Sequence, residues 1–467
     1  MKQPPNILLI TADDMNWDAV GAYGCPVPGT TPNIDRLAAE GMRFDYSHVT
    51  IAVCQPSRSA LLTGRYPHCS GGEGFHNLRL PDVPILPQLL KDNGYHVGIL
   101  GKVGHSTPYA EFQWDLQKDF EELGYGRNPQ LYARDMEDFL SHKGEPQQPF
   151  FLMLNSHDPH RPFYGNDNPE WYEDDEHPAA IPSRCFKAEE IEVPGFLEDL
   201  PEVRLEIAEY YSSVRRCDDT IGEVLRVLRE AGHEQDTIVI FLSDNGMAFP
   251  FAKTNCYLNS TRTPWIMRWP GVIAPGSHNS EDFISGIDLM PTLLEAANIP
   301  FPQGMNGASF IPLLEGREQS GRDLLFTQFH QTAGHKDYPM RGVQNRRFGY
   351  IFNPWSNGHR VFKNESQSGR TMQAMREAAQ TDSRVAERVQ LFTYRVPEEF
   401  YDFANDPDGR HNLINHPEFQ ETINNLRNTL EDWMIATNDP ALPAFQNRSS
   451  DEAVESWMEN LPLNHSK

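Results

Sequence analysis

Through the first three hundred residues, short apolar runs alternate with stretches whose apolar positions recur every three or four residues. Four of the runs, residues 6–10, 95–100, 150–154 and 237–242, are largely apolar throughout and end in polar or turn-forming residues. A strand buried on both faces reads this way, whereas a half-exposed strand alternates. Between them, residues 34–40, 85–93 and 217–231 carry the helical period, and each is followed by a glycine (Gly41, Gly94, Gly232) where a left-handed cap belongs. Strands separated by helices predict an α/β domain with a mostly parallel sheet.

The pattern changes near residue 340. Residues 347–353 and 398–403 read as short antiparallel strands and 421–435 as an amphipathic helix, after a helix at 287–297 and a Pro/Gly-rich segment at 300–307. This predicts a catalytic domain over 1–340 and a smaller C-terminal α+β domain with a small antiparallel sheet over 341–467. Residues 166–177, with the acidic run Glu173-Asp174-Asp175-Glu176, are expected to form an exposed loop.

The residues that follow the four buried runs carry chemistry. They are Asp13-Asp14, Lys102 with His105, His157-Asp158 and Asp244-Asn245. Open α/β sheets build their sites outside the carboxyl ends of the strands. Two adjacent carboxylates alone would suit a helix cap or a solvated turn, but four polar clusters at four strand ends outweigh that reading. Asp13, Asp14, Asp244 and Asn245 offer only oxygen donors, which suits a hard divalent cation such as Ca²⁺ or Mg²⁺ rather than zinc. Such an ion would also offset the repulsion of crowded carboxylates.

Charge and cysteine content narrow the picture. The 467 residues include 40 Lys+Arg and 66 Asp+Glu, a formal charge of −26. An acidic excess of this size repels phosphate backbones, so nucleic acid is not an expected partner. No run reaches the roughly 18 apolar residues of a membrane span. No signal peptide is recognisable, so the expected compartment is the cytoplasm if the chain is complete, or the periplasm or exterior if a signal was removed. Cys25, Cys54, Cys69, Cys185, Cys217 and Cys256 form no CxxC pair, which is the pattern of reduced structural thiols.

Cys54 stands apart because of its neighbours. Cys54-Gln55-Pro56-Ser57-Arg58, followed by Leu61-Leu62-Thr63-Gly64-Arg65, resembles the signature of the type I sulfatases. The resemblance extends along most of the chain, through Thr31-Pro32-Asn33-Ile34-Asp35-Arg36-Leu37, Gly101-Lys102, His157-Asp158-Pro159-His160, Ser243-Asp244-Asn245-Gly246 and Phe400-Tyr401-Asp402-Phe403. It implies the alkaline-phosphatase-like fold, a mostly parallel sheet sandwiched by helices with a smaller C-terminal domain. It is nearest to sulfamidase-like members in Phe249-Pro250, Lys253-Thr254-Asn255 and Tyr338-Pro339-Met340-Arg341.

The resemblance implies that a separate maturation enzyme oxidises Cys54 to formylglycine, whose hydrate carries two hydroxyls. One attacks sulfur, and the other later expels sulfate and restores the aldehyde, a step that a thiol cannot perform. It further implies that Asp13, Asp14, Asp244, Asn245 and the converted Cys54 hold one Ca²⁺. Arg58, Lys102 and Lys253 would bind the sulfuryl group, His105 would assist sulfate elimination, and His157 would protonate the leaving atom. Two departures stand out: Lys102 and His105 have the spacing Lys-x-x-His where many members have Lys-x-His, and Lys253 stands where sulfamidases carry Arg.

The implied substrate is a sulfated mono- or oligosaccharide bearing a sulfate ester or a sulfamate. A surface at −26 disfavours wrapping a long polyanion, so a pocket for a terminal sugar is expected, with His330, His335 and Arg341 as candidates around it. The alternatives are an O-sulfatase acting on fragments of algal or other sulfated polysaccharide, a phosphate or phosphonate monoester hydrolase, and a non-catalytic binder of sulfated glycan. Intact Arg58, Lys102, His105 and His157 argue against the binder, which has no need of an acid at a leaving group.

Overall fold

A computed structural model describes residues 4–145, 147–165 and 178–461, so the acidic segment 166–177 lies outside the described residues. The strands are β1 (Asn6–Ala12), β2 (Met42–Phe44), β3 (Ser47–His48), β4 (His96–Leu100), β5 (Leu116–Lys118), β6 (Phe150–Asn155) and β7 (Thr237–Ser243). They continue as β8 (Trp265–Arg268), β9 (Ser277–Asn279), β10 (Ile284–Ser285), β11 (Leu325–Gln331), β12 (Asp337–Gln344), β13 (Phe348–Phe352) and β14 (Glu398–Asp402). Eight of them form one sheet in the order β5-β4-β6-β1-β7-β8-β2-β9. Its pairings are parallel except where β8 meets β7 and β2.

The four apolar runs are the centre of this sheet. Leu8 and Ile10 of β1 face one apolar layer, with Tyr211, Val214 and Leu228 of the helix Pro201–Glu230. Ile7 and Leu9 face the other, with Leu61 and Leu62 of the helix Cys54–Thr63. Burial on both faces explains the missing alternation. Each fully buried Leu or Ile contributes about 1.5–3 kcal/mol, so the central strands are the least negotiable part of the fold.

Helix ends follow the glycine pattern in two of three cases. Gly94 and Gly232 take φ of +87° and +78°. Gly41 does not: its φ is −134°, and a Cβ there would lie 2.2 Å from the Met267 carbonyl oxygen. That glycine serves the close approach of β8, not a left-handed cap. The helix expected over 217–231 is the second half of Pro201–Glu230.

β11 to β14 form a separate antiparallel sheet in chain order. The helix Gln420–Ala436 packs Leu426, Leu430 and Met434 against its Val343, Tyr350 and Phe400. The sheet begins at Leu325, so the expected division at 340 falls inside β12. Phe329, Met340 and Tyr401 also join the apolar layer of the large sheet, which makes the two regions continuous.

Candidate active site

The register of the central strands brings the polar clusters together. Thr11 pairs with Asn155 and Ala12 with Ser243, so β6, β1 and β7 end at one level. The Asp13 amide donates to the Asp158 carbonyl (3.1 Å) and the Asp244 amide to the Ala12 carbonyl (3.2 Å). Asp13, Asp14, Asp244 and Asn245 are therefore buried side by side. At the end of β4, a Cβ on Gly101 would lie 2.3 Å from the Asn155 carbonyl oxygen. Only glycine lets this strand end close against β6 and deliver Lys102, itself left-handed at φ +52°.

Cys54 opens the helix Cys54–Thr63, with Val53 extended before it and no side chain capping the first turn. The amides of that turn face the strand ends as an anion-favouring helix terminus. Cys54 Sγ lies 3.4 Å from Asp13 Oδ1. One turn on, Arg58 Nε donates to Asp244 Oδ2 (3.0 Å), and its Nη1 donates to Thr11 Oγ1 and Asn155 Oδ1, both at 2.7 Å. Thr11 and Asn155 lie within β1 and β6, so the sheet itself aims the guanidinium. Lys102 Nζ pairs with Asp13 Oδ2. Lys253 Nζ lies 2.8 Å from Asp14 and 3.2 Å from Glu365 Oε2.

The three carboxylates titrate differently because their partners differ. Burial raises all of them, but Lys102, then His160 and Arg58, outweigh it and hold Asp13 well below the usual range. Burial, then the neighbouring Asp13, pushes Asp244 up to about 7. Burial, then Asp13, also pushes the Cys54 thiol well above its usual range, so an unmodified Cys54 stays protonated at neutral pH.

The residues fit a hard cation. Ligand oxygens of Asp13, Asp14 and Asp244 lie within 4.8 Å of one another. Asn245 Nδ2 donates to Asp14 Oδ1 (2.7 Å), while its Oδ1 is buried with no hydrogen-bond partner. A buried carbonyl oxygen without a donor, beside three carboxylates, suits an oxygen-liganded ion such as Ca²⁺.

The histidines are placed around this floor. His157 packs against Phe120 with ring centroids 5.0 Å apart, and its Nε2 is buried with no hydrogen-bond partner. Burial, then Lys102, holds its pKa well below the usual histidine value. Burial, then Lys102, likewise brings His105 to about 3, and its buried Nδ1 has no partner. Asp158 is held by Arg216 through Nε (2.7 Å) and Nη2 (2.9 Å) and so supports the turn instead of ligating. His160 Nε2 lies 3.9 Å from Asp14 and 3.8 Å from Glu365.

Two of the expected sugar contacts are elsewhere. Arg341 is buried against Asp439, and His330 is buried with Nε2 2.8 Å from Gln328 Oε1. Their polar atoms are directed into the protein, which corrects the expectation. His335 is exposed in the β11–β12 turn. Glu365, on the short helix Glu365–Ser368, was invisible in the sequence because no motif surrounds it. Burial would raise its pKa, but Lys253, then His160 and Arg161, bring it to about 2.

One sheet covered on both faces carries at its strand ends a cysteine-headed helix, the cations Arg58, Lys102 and Lys253 and an oxygen-donor nest, an arrangement suited to binding a tetrahedral anion. The sequence pattern described as sulfatase matches residues 5–299, and that of the N-sulphoglucosamine sulphohydrolase C-terminal region matches 247–367. The chain belongs to the sulfatase family, with the alkaline-phosphatase-like fold, and is a sulfate ester or sulfamate hydrolase. It is 32% identical to human N-sulphoglucosamine sulphohydrolase over 94% of this chain and 91% of that protein. An ulvan-active sulfatase of Formosa agariphila is 28% identical over 94% of this chain and 82% of its own. Among solved structures, BT4656 in complex with its substrate D-glucosamine-2-N,6-O-disulfate superposes with a TM-score of 0.69 at 19% identity, covering 99% and 100% of the two chains. The phosphonate monoester hydrolase of Agrobacterium radiobacter superposes with a TM-score of 0.67 at 17% identity, covering 93% and 96%.

Proposed function

We propose that this protein is a Ca²⁺-dependent carbohydrate sulfatase that removes a sulfate ester or sulfamate from a terminal sugar, using a formylglycine derived from Cys54. The observation that carries the reading is the oxygen-only nest of Asp13, Asp14, Asp244 and Asn245, with an unpartnered Asn245 Oδ1, set 3.4 Å from Cys54 through Asp13. The human relative and the sugar named with the BT4656 structure support a sugar carrying N-sulfate, and the ulvan-active relatives support O-sulfated sugars.

Bound at Asp13, Asp14, Asp244 and Asn245, Ca²⁺ would supply positive charge against the sulfuryl oxygens. Formylglycine would supply a hydrated oxygen nucleophile where the buried thiol supplies none. The chain does the rest. Arg58, held by Thr11, Asn155 and Asp244, presents a fixed guanidinium, and Lys102 and Lys253 add charge where the sulfate charge concentrates. His157 is neutral in the free protein, and an arriving sulfate favours its imidazolium by opposite charge. Its Nε2 then donates a proton to the departing oxygen or nitrogen. Burial and Lys102 also depress the basicity of His105, and the same bound anion would restore it, so that its unpartnered Nδ1 accepts a proton during sulfate release.

The test uses protein whose Cys54 conversion is verified by peptide mass. Sulfate release is measured from N-sulfoglucosamine, glucosamine 6-sulfate and ulvan oligosaccharide, with an aryl phosphate as the phosphoryl control, each with and without Ca²⁺. Ca²⁺-dependent release from a sulfated sugar is expected. Fully converted protein that turns over none of the sulfated sugars would overturn the reading.

A further inference from the structure

Glu365 is a further carboxylate at this site, apart from the aspartates of the oxygen nest. Its carboxylate lies within 4.8 Å of an Asp14 ligand oxygen and of a His160 nitrogen, with Lys253 bridging it to Asp14. Its side chain remains 33% exposed, so part of it is open to solvent. The segment that carries it is firmly anchored. Asn364 Nδ2 donates to Thr254 Oγ1 (2.8 Å), Ser366 Oγ to Asn364 Oδ1 (2.9 Å) and Gln367 Nε2 to the Phe362 carbonyl (3.0 Å). Thr254 follows Lys253 directly, so the anchor fixes the carboxylate relative to the lysine that it meets.

A carboxylate beside a bound sulfate is repulsive, and the repulsion grows as water leaves the site. Its position is tolerable where the substrate brings a hydrogen-bond donor to the same place. On a sulfated sugar, the ring hydroxyls flanking the sulfated group are such donors, O3 beside a sulfamate at C2 and O4 beside a sulfate at C6. Granting the carbohydrate sulfatase reading above, we infer that Glu365 is a specificity residue that accepts a hydrogen bond from the hydroxyl next to the sulfated position. It thereby selects sugars on which that hydroxyl is free and discriminates against those on which it is missing or itself sulfated. A site built to bond a hydroxyl rejects the analogue lacking it, because the bound analogue displaces water from the acceptor and returns no hydrogen bond.

The alternative role, a counter-ion that merely positions Lys253, makes a different prediction. Losing a counter-ion weakens every substrate alike, whereas losing a substrate contact weakens only the substrate that makes it. The experiment compares kcat/KM for N-sulfoglucosamine and its 3-deoxy analogue in wild-type protein, Glu365→Gln and Glu365→Ala. Thermal midpoints and Cys54 conversion are measured on each. If the wild type acts on glucosamine 6-sulfate instead, that sugar and its 4-deoxy analogue form the pair. Wild-type protein is expected to prefer the hydroxylated sugar by roughly tenfold or more. Glu365→Ala is expected to bring the ratio near one, with Glu365→Gln between. An unchanged ratio in a folded, converted Glu365→Ala, or no preference in the wild type, would overturn the inference while leaving the sulfatase reading intact. No turnover of either pair by wild-type protein would overturn the sulfated-sugar reading itself, and this inference with it.

Discussion

Arg58 and Arg341 are both buried arginines facing buried aspartates, yet their surroundings differ in kind. Arg341 donates from Nε to Asp439 Oδ2 (2.5 Å), from Nη2 to Oδ1 (2.7 Å) and from Nη1 to the Met340 carbonyl (2.9 Å). Asp439 also accepts from the Ala441 amide at 2.8 Å. That pair is closed upon itself. Around Arg58, by contrast, Asn245 Oδ1, His105 Nδ1 and His157 Nε2 are buried without partners. Unpartnered polar atoms cost stability in a folded protein, and a cluster of them marks a place prepared for something that binds. Arg341 looked from sequence like a pocket residue; Gln328 Nε2 and His68 Nε2 beside it are also buried without partners, so the difference between the two regions lies in the crowded carboxylates and free Asn245 Oδ1 around Arg58, not in residue type.

The comparison breaks first at Cys54. Cys54→Ala should abolish sulfate release, because no oxygen nucleophile can then be formed, while the thermal midpoint changes little. Turnover by Cys54→Ala above background would place the nucleophile elsewhere. Next come the two arginines. Arg58→Lys keeps a positive charge but loses the fork held by Asp244, Thr11 and Asn155, and should lower kcat by roughly 10²- to 10³-fold. Arg341→Ala leaves Asp439 buried and unpaired, and should cost about 3–5 kcal/mol of stability with kcat of the folded fraction unchanged. Urea unfolding beside initial rates separates the two, and an Arg341→Ala enzyme that is stable but slow would erase the distinction.

The same contrast shows how much was legible in the chain. The central strands were readable because both faces are apolar, and the four clusters followed from where those strands stop. The first half of Pro201–Glu230 was not, because Glu206, Ser212, Ser213 and Arg216 are buried polar residues that interrupt its apolar stripe. Glu206 accepts from the Thr371 amide (2.8 Å) and Arg216 binds Asp158, partners more than fifty residues away in the chain. β11 and β12 were hidden likewise by the buried Gln328, His330 and Arg341. Local periodicity cannot report a polar side chain whose partner is distant. Glu365 escaped for a related reason, since only the fold carries residue 365 to Lys253.

The smallest expected effect lies in the acid stability of the closed pair. Burial alone would raise the Asp439 carboxyl, but Arg341 outweighs it and holds the folded pKa below the usual value. A depressed carboxylate contributes stability that is fully present above the unfolded pKa of about 4 and is lost as pH falls through the lower folded value. Asp439→Asn resembles the protonated side chain in shape and carries no charge at any pH. The gap in urea midpoint between wild type and Asp439→Asn should therefore be widest near neutrality and close progressively below about pH 4, by about 1.4 kcal/mol for each pKa unit of depression. Chelator present throughout keeps the strand-end carboxylates equally metal-free in both proteins. A gap independent of pH would show that Asp439 serves through shape and the Ala441 cap alone, and that the charge of the Arg341 pair contributes nothing to the fold.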